Sequence, residues 1–193
     1  MKRQQTGGGP GDAPAFEEIA RYTAQFGVDS TQIQHDFVIS HVLWAVAHCR
    51  DRFVFTGGTA LSRTILNGLR LSEDIDLLSV GPRAQASILD SAIGDRLERR
   101  FGEVTADPWL SSTRTDTDSC IFHIGDTDLS IQLINGDTYP RWPTALSVVE
   151  QRYASAPSVT LTTLTSAAFA AAKTSPGVTR PGTPLVTSTT FGR

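Results

Sequence analysis

The segment FVFTGGTALSRTILNGLRLSEDIDLLSV, residues 53–80, constrains the fold more than any other part of the chain. A short apolar run ends at Gly57-Gly58, a helix-forming stretch follows, and a second apolar run begins at Asp74. Short apolar runs bounded by turn residues indicate buried strands. We therefore predict a strand, a turn, a helix and a second strand, with about four helical turns between the glycines and the aspartates.

Further segments predict elements that pack on the same sheet. Helical spacing of apolar residues predicts a helix over 16–26, and Asp29 with Gln32 resembles a capping box at the start of a longer helix. AQASILDSAIGDRLERRF is also helical, with Ile88, Ala92 and Leu97 near its inner face, while EVTAD, SCIFHI and DLSIQLI read as strands. The fold class is therefore α/β (α+β), with a mixed sheet flanked by helices.

Length and composition indicate one domain in a reducing compartment. A chain of 193 residues suits a single core. Its net charge of -3 excludes the strongly basic surface of an obligate nucleic-acid binder. Cys49 and Cys120 lack metal-ligand spacing, and no apolar run approaches the roughly 18 residues that span a membrane. Residues 1–14 predict a flexible leader without a secretory signal, so we expect a cytoplasmic protein.

Asp74 and Asp76 are the candidate metal ligands. Side chains on a strand alternate between two faces, so both carboxylates project from one face while Ile75 turns into the core. Two carboxylates so close together repel each other unless a cation neutralises them. The hard cation Mg²⁺ is the natural partner of such oxygen ligands.

The glycine pair is the candidate phosphate site. Glycines without Cβ atoms at the start of a helix let phosphate oxygens approach free N–H groups and the positive end of the helix dipole. Thr59 and Ser62 add hydroxyl groups nearby, and no Gly-Lys-Ser/Thr follows as in a Walker motif. A Gly-Gly turn or an Asp-x-Asp pair alone is weak. In this order and spacing, however, they predict two halves of one phosphoryl-transfer site.

The same residues resemble a known family. GGTALSR followed by RLSEDIDLL resembles the signature of the AbiEii-type nucleotidyltransferase toxins, which belong with the MenT-like toxins in the polymerase-β-type nucleotidyltransferase superfamily. The likeness extends from QIQHDFVISHVL to LTTLTSAAFAAAKT, roughly residues 30–174. It implies a nucleotidyltransferase toxin of a type IV toxin–antitoxin (AbiE-like) system, with an NTP substrate, tRNA as a candidate acceptor and an antitoxin as partner.

The resemblance also assigns roles to individual residues. It implies that Asp74 and Asp76 hold Mg²⁺ for two-metal catalysis, and that Gly57, Gly58 and Thr59 cradle the NTP phosphates. Arg70 and Ser72 become candidates for supporting phosphate contacts. Lys173 matches a helical lysine that faces the nucleotide in this family.

The chain departs from the family pattern in two places. No secure third carboxylate is found, because Gln132 and Asn135 stand where an acidic partner would be useful. After Lys173 the chain has no Asp or Glu, and three prolines make a regular helix untenable. We therefore expect a nucleotidyltransferase domain over 15–173, followed by an aberrant, disordered tail over 174–193 that replaces the family's C-terminal helices. A frameshift near codons 174–176 would explain that tail.

Two alternative functions remain. One is an inactive, truncated remnant that only binds NTP. The other is a small-molecule nucleotidyltransferase of the antibiotic-modifying type, which shares the glycine and Asp-x-Asp motifs but needs its own acceptor pocket.

Overall fold

The computed structural model describes residues 13–81, 85–113 and 119–174, apart from the side chains of residues 173 and 174. The predictions for the leader up to residue 12 and for the tail from residue 175 lie outside these residues. The helices are α1 (Phe16–Phe26), α2 (Ser30–Ala47), α3 (Gly57–Thr64), α4 (Ala86–Phe101) and α5 (Ser166–Thr174). The strands are β1 (Phe53–Thr56), β2 (Asp74–Ser79), β3 (Val104–Asp107), β4 (Ser119–Ile124), β5 (Thr127–Asn135), β6 (Thr144–Val149) and β7 (Val159–Leu164).

The seven strands form one mixed sheet in the order β3-β4-β5-β2-β1-β7-β6. β2 lies near the centre, antiparallel to β1 and parallel to β5. Helices flank this sheet, which confirms the predicted fold class. The strands β6 and β7 extend the sheet beyond β1 and were not among the predicted strands.

The core lies between one face of the sheet and the helices α2 and α4. Ile75 and Leu77 of β2 are fully buried, and α2 packs against α4, β5 and β7. In α4, Leu89 and Ile93 are buried, whereas Ile88 is 38% exposed, so its predicted place on the inner face is wrong. No helix within the described ranges is long and apolar enough to span a bilayer.

Local signals set the ends of α1 and α2 as predicted. Gly27 adopts the left-handed conformation at the end of α1, with φ at 67°, and its N–H donates to the Thr23 carbonyl. The Asp29 carboxylate accepts a hydrogen bond of 2.9 Å from the Gln32 N–H at the start of α2. Both ends follow from short-range chemistry, which is why the sequence predicts them.

Helix α3 is shorter than predicted. It runs over eight residues, a little more than two turns. Its last turn ends with the Leu66 N–H donating to the Leu61 carbonyl, and Gly68 then adopts a φ of 77° that a continuing helix excludes. The expectation of about four turns was therefore wrong, and a loop covers residues 65–73.

A buried ionic cluster joins α2, α3 and the segment after β6. Its members are Asp36, Arg63, Arg152 and Glu150, with Tyr153 as a neutral hydrogen-bond donor. Asp36 Oδ1 lies 2.8 Å from Arg63 Nη2 and 3.0 Å from Arg152 Nη1, and Tyr153 donates to Asp36 Oδ2 at 3.0 Å. Arg152 also contacts the Glu150 carboxylate at 3.0 Å. Two anions and two cations therefore balance each other within the cluster.

The arginines keep the buried Asp36 ionised. Burial alone would raise the pKa of Asp36, but the charges of Arg63 and Arg152 outweigh it and hold that pKa below its usual range. A carboxyl group with a depressed pKa stabilises the fold above the pKa it has when unfolded. This contribution declines once the pH falls below the unfolded-state pKa and is fully lost after the pH has fallen through the lower, folded-state pKa.

Replacing Asp36 with Asn tests the contribution of this cluster to stability. We expect Asp36→Asn to lower the free energy of unfolding by about 3–5 kcal/mol, because it leaves two buried arginines with Glu150 as the one remaining anion of the cluster. Urea denaturation at neutral pH measures the change. Asp51→Asn is the control, since the side chain of Asp51 is 92% exposed, and it should change stability by less than about 0.5 kcal/mol. Equal losses in the two variants would contradict the expectation.

Candidate active site

Asp74 and Asp76 lie on one face of β2. Both side chains are half-buried, and Ile75 between them is fully buried against the helices. β2 has Thr56 of β1 beside Asp76 on one side and β5 on the other. The two carboxylates therefore project from the centre of the sheet, away from the core formed by α2 and α4.

Gly57 brings the N-terminus of α3 against the Asp76 carboxylate. A Cβ atom added to Gly57 would fall 2.7 Å from Cγ of Asp76 and closer still to Oδ2. Gly57 also adopts a φ of 77°, which favours glycine. Only a residue without a side chain can therefore place this helix start beside β2.

Gly58 makes a similar approach to Arg70. A Cβ atom on Gly58 would fall 2.5 Å from Nη2 of Arg70, so the guanidinium group lies directly over the glycine backbone. Arg70 is an exposed residue in the loop that precedes β2. Its position places a permanent positive charge at the glycine pair, where a polyphosphate would bind.

Thr59 holds the first aspartate. Its Oγ1 donates a hydrogen bond of 3.3 Å to Asp74 Oδ1, and the residue is fully buried. The side chain of Thr59 therefore orients a carboxylate, while its backbone remains part of the N-terminal turn of α3. The structure brings five predicted residues together: Gly57, Gly58, Arg70, Asp74 and Asp76, with Thr59 behind them.

Two predicted serines have hydroxyl groups engaged inside the protein. The Ser62 hydroxyl donates to the Thr59 carbonyl at 3.1 Å, and the residue is only 5% exposed. Ser72 is fully buried and its Oγ accepts a hydrogen bond of 2.8 Å from Arg63 Nε. The structure therefore does not bring these two side chains to the glycine pair.

Lys173 lies in the last turn of α5, which packs against β7. Its side chain is outside the described part of the structure. Its predicted role toward the nucleotide therefore stays a prediction.

The neighbouring strand β5 places an amide beside Asp76. Gln132 pairs with Asp76 and Ser130 pairs with Asp74 across the parallel ladder. Asn135 pairs instead with Ser79, at the far end of β2. Gln132 thus occupies the position next to the aspartates, and in the described ranges no three His, Cys, Asp or Glu residues group as a metal site.

Tyr139 lies near the site and was not predicted from the sequence. It lies in the connection from β5 to β6, which must pass β2, β1 and β7 to reach its place in the sheet. Its ring is partly buried against the core. Burial raises the pKa of the Tyr139 hydroxyl and the nearby Asp76 carboxylate raises it further. The local sequence around Tyr139 does not predict its place near Asp76, because that place depends on the path of the β5–β6 connection across the sheet.

The arrangement fits a magnesium ion bound together with a phosphate ligand. Mg²⁺ keeps several waters and is commonly held by one or two carboxylates plus substrate phosphates. Asp74 and Asp76 supply two hard oxygen donors, and the absent Cβ of Gly57 lets the Asp76 carboxylate lie against the N-terminus of α3. The N-terminus of α3 and Arg70 would then face the phosphates that share the cation.

A pair of glycine variants separates backbone strain from the approach to Asp76. Gly27 and Gly57 both have positive φ values, 67° and 77°, but a Cβ atom on Gly27 meets nothing within 4 Å. We expect Gly27→Ala to cost about 1 kcal/mol of stability. Gly57→Ala should cost more and weaken binding of the probe Mn²⁺ by about tenfold or more, because its methyl group displaces Asp76. Urea denaturation and electron paramagnetic resonance measure the two effects, and matching results for the two variants would contradict this reading.

Comparisons with known proteins identify the family and the fold. The family profile "Nucleotidyl transferase AbiEii toxin, Type IV TA system" matches residues 41–175. The fold is similar to that of MenT4, the nucleotidyltransferase toxin Rv2826c from Mycobacterium tuberculosis H37Rv, with a TM-score of 0.57 and 19% identity. That match covers 80% of this chain and 56% of MenT4, so the chain spans little more than half the length of that protein. A search of curated proteins gave no match. Since the family profile covers more than half of the chain, the protein belongs to the AbiEii nucleotidyltransferase toxin family of type IV toxin–antitoxin systems.

Proposed function

We propose that this protein transfers a nucleotide from an NTP to an acceptor hydroxyl group by two-metal catalysis. The observation that carries the proposal is the close approach of Gly57, at the N-terminus of α3, to the Asp76 carboxylate. A helix N-terminus attracts phosphate and a carboxylate pair attracts Mg²⁺. Because the N-terminus of α3 and the Asp76 carboxylate are in contact, the phosphates and the cation of one metal-bound triphosphate can bind side by side.

The residues of the chain divide the work of binding. The N–H groups at the start of α3 and the Arg70 guanidinium face the triphosphate. Their positive charge offsets part of the negative charge of the triphosphate. Thr59 keeps the Asp74 carboxylate oriented through its hydrogen bond of 3.3 Å. Mg²⁺ bound at Asp74 and Asp76 would polarise the α-phosphate and stabilise the leaving pyrophosphate.

The reaction exchanges one phosphoryl-oxygen bond for another. The acceptor oxygen forms a bond to the α-phosphorus, while the bond from that phosphorus to the β-phosphate oxygen breaks and pyrophosphate leaves. The acceptor hydroxyl gives up its proton to solvent water. Positioning and charge stabilisation therefore supply most of the catalysis, which suits a site built from a helix terminus, an arginine and two aspartates.

The acceptor and the partner are proposed from the family. We take a cognate antitoxin protein as the partner, since the family belongs to toxin–antitoxin systems. The tRNA acceptor and the cytoplasmic location are proposed from the sequence resemblance to that family. The same proposal includes a catalytic role for Lys173 toward the nucleotide and a nucleotidyltransferase domain over 15–173.

A second candidate function is NTP binding without turnover. It is favoured by Gln132, which stands beside Asp76 where a third carboxylate would strengthen metal binding. A neutral amide is a weaker ligand for Mg²⁺ than a carboxylate is. The two candidates differ in pyrophosphate release, because only transfer produces it.

Labelled nucleotides test both candidates. The protein is incubated with each α-labelled NTP, Mg²⁺ and either total tRNA or an aminoglycoside mixture, and pyrophosphate is measured in parallel. We expect label in tRNA, and we expect Asp76→Asn to reduce transfer by about 100-fold or more, since it removes a metal ligand. Asp95→Asn, an exposed position on α4, should leave the rate unchanged.

The other outcomes identify the other functions. Label only in the aminoglycoside fraction would refute the toxin proposal and favour a small-molecule nucleotidyltransferase. Mg²⁺-dependent NTP binding without pyrophosphate release would favour the binding-only candidate. Equal activity of Asp76→Asn and Asp95→Asn would place the catalytic site elsewhere.

A further inference from the structure

Arg63 is a fully buried side chain whose five N–H groups all have acceptors. Nε donates to Ser72 Oγ at 2.8 Å, and Nη1 donates to Ser40 Oγ at 3.0 Å and to the Glu150 carbonyl at 3.1 Å. Nη2 donates to the Asp36 carbonyl at 3.1 Å and contacts Asp36 Oδ1 at 2.8 Å. The guanidinium group therefore joins three parts of the chain to α3.

The contact with Ser72 reaches the metal-binding strand. Ser72 stands two residues before Asp74, the first residue of β2, and its own N–H donates to Asp36 Oδ1 at 2.8 Å. Arg63 stands in α3, whose first residue contacts the Asp76 carboxylate. The loop over residues 65–73 joins α3 to β2, so the Arg63–Ser72 bond closes this loop at its base.

We propose that Arg63 and Ser72 are positioning residues, which hold the Asp74 and Asp76 carboxylates against the N-terminus of α3 through the hydrogen bond between their side chains. This inference rests on the proposed function for its consequence in catalysis. The sequence predicted a phosphate contact for Ser72, whereas this inference gives Ser72 a role in positioning the two aspartates.

The chemistry of the cluster explains why it can position the strand. A guanidinium group presents its donors in a rigid planar fork, so five acceptors around it fix its orientation and their own. A bond to a charged donor is stronger than a neutral one, at about 1.5–3 kcal/mol. Supports of this kind commonly change metal affinity or activity by about 10–100-fold when they are removed.

Two serines provide a matched test. Ser40 and Ser72 are both fully buried, and each hydroxyl oxygen accepts a hydrogen bond from Arg63. Ser40 belongs to α2, whereas Ser72 leads into the aspartates. Ser40→Ala also removes the bond from Ser40 Oγ to the Asp36 carbonyl, so it disturbs the cluster at least as much as Ser72→Ala does. A purely structural role predicts similar effects at the site.

The measurements are the free energy of unfolding, Mn²⁺ affinity by electron paramagnetic resonance, and transfer rate as a function of Mg²⁺. Both variants should lose similar amounts of stability. Ser72→Ala should weaken Mn²⁺ binding by about tenfold and raise the Mg²⁺ concentration for half-maximal transfer by a similar factor. Ser40→Ala should change either quantity by less than about twofold, because it leaves the Ser72 support intact.

Other results overturn the inference. Equal weakening of Mn²⁺ binding by the two variants would show that the cluster only stabilises the fold. Unchanged Mn²⁺ binding in Ser72→Ala would show that Ser72 does not position the aspartates. A wild-type protein that binds Mn²⁺ but transfers no nucleotide would refute the proposed function alone, since the Mn²⁺ affinities of the two variants still decide the positioning role. A wild-type protein that binds no Mn²⁺ would refute both.

Discussion

The buried ion pair between Arg63 and Asp36 is the interaction on which the rest of the structure depends. Taking two charges out of water costs several kcal/mol for each ion, so the pair is favourable only with good geometry and satisfied hydrogen bonds. Both conditions are met, because Arg63 uses all five donors and Asp36 accepts from Arg152, Tyr153 and the Ser72 N–H. A cluster of this kind favours one arrangement of α2, α3 and the approach to β2 over others that would leave a charge unpaired.

The site itself follows the opposite principle. Where the cluster fills space with charged side chains, the site removes side chains so that backbone can approach carboxylate and guanidinium groups. Gly57 and Gly58 sit where added Cβ atoms would collide with Asp76 and Arg70. Gly57 therefore acts through close approach as well as through the backbone freedom of its positive φ. Together, the two principles combine a fully hydrogen-bonded base with a site where backbone, carboxylate and guanidinium groups lie close together.

Several features of the site were predictable from sequence because they depend on short-range geometry. The alternation of side chains along β2 put Asp74 and Asp76 on one face, and that face is the one away from the core. The sequence order of glycine pair, helix and strand also placed both halves of the site near each other. By contrast, the predicted length of α3 was wrong, because the Leu66–Leu61 backbone bond and the turn at Gly68 end the helix earlier than its composition suggests.

The amino-acid sequence by itself determined the fold class, the strands β1 to β5, the aspartate pair and the family, because each depends on local periodicity or on a short motif. Only the tertiary structure decided which polar side chains face the site. Ser62 and Ser72 carry hydroxyl groups suited to phosphate, but both are buried with other partners. Tyr139 lies near Asp76 only because its connection crosses the sheet. The physical reason is that a side chain's partners come from contacts between distant segments, which local sequence patterns do not encode.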